Sequence, residues 1–165
     1  MLKGKGLVIF ALIVGISGLG LGVISLTLPP EQNNGIQKTW FVYDSGVHYT
    51  NPTYTDIYIN AITINFTVKS GESVYGLFIT HATLVDIGVA TIIFKFVLDG
   101  YVISSPVSPE TEFSSNNQEM SGSVTLQMAT DTILPGFHTA TISIQGNFLN
   151  NAIEESTLLI QTYLP

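Results

Sequence analysis

Three histidines, His48, His81 and His138, are the only imidazoles in the sequence, and no cysteine accompanies them. Three His can hold a catalytic zinc, but none of these lies at short ligand spacing and each falls in a different segment. They read as surface or packed side chains, and no metal ligand is assigned. Serine is abundant, yet no G-x-S-x-G elbow occurs, so no Ser-His-Asp set can be picked out. Glu154-Glu155 is an adjacent acid pair. Neighbouring side chains of a strand diverge, so the pair predicts a solvated turn rather than an acid–base couple. No catalytic residue stands out, and the chain reads as non-enzymatic.

Calcium is the metal whose ligand chemistry fits best, because Glu110, Glu112, Asn116, Asn117 and Glu119 cluster in one polar stretch. No D-x-D-x-D-G spacing is present, so a plain solvated acidic loop is the simpler reading and no cofactor is required. Asn65-Phe66-Thr67 is an N-glycosylation acceptor, whereas proline disqualifies Asn51-Pro52-Thr53. Trp40, Phe41, Tyr43, Tyr49, Tyr54 and Tyr58 crowd one short region. Aromatics like these stack on sugars or form subunit interfaces, although packing in a sandwich core is their commoner use.

Composition narrows the partners. Hydrophobic residues make up 45% of the 165 residues and charged residues 10%, enough to bury a core and too apolar for disorder. The net charge is -7, and after Pro30 three lysines stand against all twelve acids. Such a surface repels phosphate backbones, and arginine is absent, so nucleic acid is not an expected partner. The lack of cysteine excludes disulfides and thiolate chemistry.

Any functional group must be carried by one of two segments. From Leu7 to Leu28 no residue is charged, a run that as a helix spans roughly 33 Å against a hydrocarbon core of ~30 Å. Pro29-Pro30 stops it. Lys3 and Lys5 precede it and predict a cytoplasmic amino terminus with the remainder exported. Residues 1–30 are thus expected to form an apolar α-helix that enters the lipid bilayer. Ala11, Gly15, Gly18, Gly22 and Ser25 form a heptad-like stripe of small residues, with one GxxxG pair, suited to close helix–helix packing in lipid. Lys5-Gly6-Leu7-Val8 resembles the archaeal class III (pilin-type) signal. That resemblance implies cleavage between Gly6 and Leu7 and a helix retained on a filament subunit.

Residues 31–37 read as a linker, and 38–165 as an antiparallel β-sandwich. Expected strands are 38–43, 57–69, 73–86, 90–98, 101–107, 121–130, 137–146 and 156–164, with 104–120 a surface loop. Alternation in AITINFTVK puts Ile62, Ile64, Phe66 and Val68 in the core and Thr63, Asn65, Thr67 and Lys69 outside. Asp99-Gly100 predicts a type I′ hairpin turn, and Leu134-Pro135-Gly136-Phe137 a type II turn.

The runs SVYGLFITHATLV, IIFKFVLDG, LPGFHTATISIQ and STLLIQTYL, spread through residues 45–165, resemble the C1q/TNF-like jelly-roll domain in strand order and hydrophobic rhythm. That resemblance implies a jelly roll that forms homotrimers through aromatic faces and has no catalytic role. The combined expectation is a single-pass cell-surface protein, self-associating and able to bind a glycan or protein outside the cell. A filament subunit is the alternative. The anchor reading predicts a native protein that starts at Met1 or Leu2 by intact mass, and a Leu7 start would replace it with the processed filament subunit.

Overall fold

The computed structural model describes residues 35–85, 88–103 and 110–165. The apolar helix, the small-residue stripe of Ala11, Gly15, Gly18, Gly22 and Ser25, and the Gly6–Leu7 junction lie outside the described residues. No helix among the described residues is long and apolar enough to cross a membrane.

Among these residues the strands are β1 (Gly35–Asp44), β2 (His48–Tyr49), β3 (Ile57–Tyr58), β4 (Ile64–Val68), β5 (Ser73–Leu84), β6 (Val89–Leu98), β7 (Tyr101–Val102), β8 (Glu110–Asn116), β9 (Met120–Thr130), β10 (Gly136–Gly146) and β11 (Ala152–Leu164). One sheet, A, has the order β1-β11-β5-β9, with β2 beside β11. The other, B, is built on β10 and β6, with β3 and β4 outside β10 and β7 and β8 outside β6. Every pairing is antiparallel. The orders β1-β11-β5-β9 and β4-β10-β6-β8 are those of a jelly roll, so the all-β antiparallel sandwich expected from the sequence is the observed architecture.

Period-two alternation fills the space between the sheets. Ile62, Ile64, Phe66 and Val68 are buried, and Thr63, Asn65, Thr67 and Lys69 are exposed, as the pattern requires. Phe66, Phe78, Phe94 and Phe96 are fully buried with Ile92, Ile142, Ile144 and Leu158 around them. Asp99 and Gly100 have φ of 51° and 83°, which is the type I′ signature.

Several boundaries differ from expectation, each for a local reason. The linker stops short of 37, because Gly35 already pairs with Leu164 and β1 continues from there. The single strand expected over 57–69 is broken by a 3-10 turn, Asn60–Ile62. There β3 and β4 pair with separate parts of β10, and the Thr141 hydroxyl donates to the Ile59 carbonyl across the gap. The surface loop expected over 104–120 contains β8, whose outward Glu110, Glu112 and Ser114 give it a loop-like composition. The strand expected over 101–107 is two residues long where it is described.

Gly136 has φ of 155° and opens β10, so it does not take the roughly +80° that a type II turn needs at its third position. Glu154-Glu155 lies inside β11, not in a turn. Glu155 has φ of 51°, and the register slips between Glu154 and Thr157, a β-bulge. Buried Thr80 satisfies that bulge, with its hydroxyl 2.9 Å from both the Glu154 carbonyl and Ser156 Oγ.

One end of the sandwich is closed by amides rather than by strands. Asn151 is fully buried; its Oδ1 accepts from Val85 N–H (3.1 Å), just past β5, and its Nδ2 donates to the Thr91 carbonyl (3.2 Å) on β6. One side chain therefore ties sheet A to sheet B. Asn151→Ala orphans both backbone groups and is expected to lower unfolding free energy by about 2–4 kcal/mol. Urea denaturation measures it, and a loss under about 0.5 kcal/mol would show that water replaces the amide.

Candidate functional site

Because paired residues of antiparallel strands share a face, the outward surface of sheet A can be read row by row. One row is Thr39, Gln161, Tyr75 and Ala129, the next Phe41, Leu159, Leu77 and Gln127, and the third Tyr43, Thr157, Ile79 and Thr125. None of these twelve is charged. Tyr75, Leu77 and Leu159 are half-buried by their neighbours, and Ile79 is 40% exposed. At the β1 edge Phe41 and Tyr43 stand 64% and 54% exposed. Apolar character falls across the sheet, from aromatics on β1 to Gln127 and Thr125 on β9. The outer face of sheet B is different: Lys95 pairs with Glu110, its ammonium lies 4.0 Å from Asp56, and Glu112 sits alongside. The three sheet A rows, aromatic and uncharged and bounded on one side by the Glu154–His81 row, stand beside a sheet that carries charges across its outer face and have the composition of a protein–protein interface core.

The crowded aromatics therefore split. Trp40 turns inward, packing edge-on against Phe66 at 5.8 Å, with the Lys38 ammonium 4.7 Å from its ring centre. Phe41 and Tyr43 turn outward, while Tyr49 lies on β2, Tyr54 sits in a loop at φ 53° and Tyr58 is on β3. The core, the commoner use for such residues, takes only Trp40 of the six. The outer face went unread in the sequence although a signal existed. TWFVY, SVYGLFI and STLLIQTYL are nearly unbroken apolar runs, the mark of a strand covered on both faces.

The histidines do not meet. Nδ1 of His138 lies 2.7 Å from Asp99 Oδ2 and its Nε2 lies 2.8 Å from the Leu134 carbonyl, so both ring nitrogens face acceptors. Only the protonated ring donates to both. Burial disfavours that charge, but Asp99 and the Leu134 carbonyl outweigh it and His138 has a raised pKa. Burial likewise pushes the Asp99 carboxyl up, yet the bonds from His138 and from Thr139 N–H (2.8 Å) prevail and lower it. The pair staples the β6–β7 turn to the loop before β10, beside an open groove of about 390 Å³ walled by Leu98, Ile103 and Ile133. His48 Nε2 lies 2.5 Å from Asp44 Oδ2, and that bond, followed by the one from Gly46 N–H, holds the Asp44 carboxyl below its usual range. His81 is on β5.

Among the described residues no group of three or more His, Asp or Glu side chains is placed to hold a metal. Glu110 and Glu112 lie along β8, while Asn117 is occupied by Gly88 N–H and Asn116. Asn65 is exposed on β4, on the outer face of sheet B.

No family model matches the chain, and no curated protein matches it. Among solved structures, that of infectious bursal disease virus Gx strain is similar with a TM-score of 0.49 and 8% identity, over 83% of this chain and 37% of that one. The infectious bursal disease virus VP2 subviral particle aligns with a TM-score of 0.25 and 9% identity, over 83% of this chain and 41% of that one. The chain thus spans less than half the length of either, and likeness at this level carries nothing about function.

The raised His138 pKa has a pH consequence. Stability from the ionised staple is complete below the unfolded histidine value of about 6.5 and is lost as pH rises through the raised folded value. Thermal melts of wild type should fall across that window, whereas His138→Gln should be flatter and, near pH 6, less stable by about 1–2 kcal/mol. Parallel profiles for the two proteins would remove the staple from the pH dependence.

Proposed function

We propose that the chain is a non-enzymatic, membrane-anchored surface protein whose jelly-roll ectodomain associates with copies of itself. The observation that carries this reading is the three uncharged, aromatic rows on the outer face of sheet A. A domain with so many acids repels its own copies over most of its surface, and this face is where two copies approach without opposing like charges. The apolar run from Leu7 to Leu28, with Lys3 and Lys5 before it, supports anchoring with the body outside. The small-residue stripe of Ala11, Gly15, Gly18, Gly22 and Ser25 supports association within the bilayer as well.

Binding of a glycan or protein is a further role of such an assembly. A glycan on Asn65 would project from the opposite sheet and leave the sheet A face clear. No cofactor is needed for any of this. A filament subunit is the second reading, favoured by Lys5-Gly6-Leu7, and it uses the same face among fibre neighbours.

Phe41→Ser together with Tyr43→Ser should weaken self-association of the full-length chain in mild detergent by about tenfold or more, since each aromatic brings 150–250 Å² to a contact. Both side chains are exposed, so the melting temperature should hardly move. Sedimentation velocity reads the change. A wild-type chain that stays monomeric, or a variant that associates equally well, would overturn the reading.

A further inference from the structure

β1 is the end strand of sheet A, and among the described residues no strand pairs with its outer edge. It is ten residues long, the length of a long strand in globular proteins, and open edges of this kind are templates for pairing with another chain. Natural edges are usually blunted by shortness, proline, bulges or charges. β1 has no proline; its bulge lies near its start, between Ile36 and Lys38, and its only charged side chains are Lys38 and Asp44.

Those two charges are placed symmetrically. Lys38 lies three positions before Phe41 and Asp44 three positions after it. When a strand pairs antiparallel with its own copy, each residue faces the one equally distant on the other side of the two-fold axis. An axis at Phe41 therefore sets Lys38 of each copy against Asp44 of the other, on one face. On the opposite face it sets Phe41 against Phe41 and Tyr43 against Thr39. Any other register leaves at least one charge facing a neutral residue.

The exposure pattern agrees with this. Phe41 and Tyr43 are the most exposed of the large apolar side chains in these rows, because β11 flanks β1 on one side and, among the described residues, no strand flanks it on the other. Pairing at Phe41 supplies that flank. The middle row becomes Leu77, Leu159, Phe41, then Phe41, Leu159 and Leu77 of the second copy, an apolar row continuous across the junction. The uncharged face doubles in width, and the charges are paired on the side that faces away from it.

The geometry points to a second copy of this chain as the partner of the β1 edge, paired antiparallel about Phe41 with reciprocal Lys38–Asp44 contacts. This rests on the self-association reading and specifies its register. It also commits the edge to another copy rather than to a foreign strand, because a foreign strand gives no reason for charges symmetric about one residue.

A charge swap on the full-length chain in mild detergent tests it. Lys38→Asp alone and Asp44→Lys alone each place two pairs of like charges across the junction and should weaken association by at least about tenfold. Because Asp44 also holds His48 and Gly46 N–H, melting temperatures are read alongside. Lys38→Asp, which leaves those bonds intact, decides the charge reversal by itself. Lys38→Asp combined with Asp44→Lys restores opposite charges at both positions and should recover wild-type association. An equimolar mixture of the two single variants should associate with each other in preference to themselves. The chain lacks cysteine, so oxidation of Phe41→Cys should give a disulfide-linked dimer, whereas Thr39→Cys, which faces Tyr43, should not.

A wild-type chain that associates but ignores the charge reversals, or a double variant that stays weak, overturns the register and leaves the self-association reading standing. Stronger association on Lys38→Ala makes the lysine a guard against edge pairing and overturns it too. A monomeric wild type overturns both.

Discussion

A strand has two faces, and in a sandwich only one of them can point at the opposite sheet. Sheet B resolves this in the ordinary way. Its inward set, Phe66, Ile92, Phe94, Phe96, Ile142 and Ile144, is apolar, and its outward set includes Lys95, Glu110 and Glu112. Sheet A does not. Val74, Phe78, Leu158 and Ile160 fill the core, while Phe41, Tyr75, Leu77, Ile79 and Leu159 look the other way. At about 25 cal/mol per Å², the exposed part of that second apolar set, chiefly Phe41 and Tyr43, is stabilisation the single chain leaves unrealised. Charges are absent from the rows that hold this set, so covering them would desolvate no ionised group.

Charge is used sparingly and mostly for fastening. Asp99 and His138 fix the β6–β7 turn to the loop before β10, and Asp44, His48 and Gly46 fix the turn after β1. Lys95 and Asp56 sit across the outer face of sheet B. Neutral amides do similar work: half-exposed Asn147 and fully buried Asn151 satisfy backbone groups on β6 and beyond β5. These are positioning contacts.

Much of the fold was legible because its signals are local. AITINFTVK announced its buried face by strict alternation, and Asp99-Gly100 announced a positive-φ turn by residue type. What escaped was set by distant partners. β8 reads as a loop because its outward residues are Glu, Glu and Ser, and only pairing with β6 makes it a strand. Glu154-Glu155 reads as a turn because a bulge depends on Thr80, far away in the chain, to satisfy it. The break at Asn60–Ile62 depends on where β10 ends its pairing with β4. The sheet A face escaped for another reason. An unbroken apolar run predicts cover on both sides, and the core was the only cover a single chain offered.

The order of strands in sheet A also governs when the domain can exist. β11 lies between β1 and β5, so β1 gains its only described neighbour from the last of the eleven described strands in chain order. Thr50, which donates its hydroxyl to the Phe148 carbonyl just before β11, waits nearly as long. Until β11 docks, β1 has two open edges and β5 one, and closing them requires contacts across nearly the whole domain. Non-local pairing of this kind is slow and leaves sticky edges in the meantime. The jelly roll can assemble only once β11 has arrived, so ten described strands must wait for the eleventh before sheet A can close.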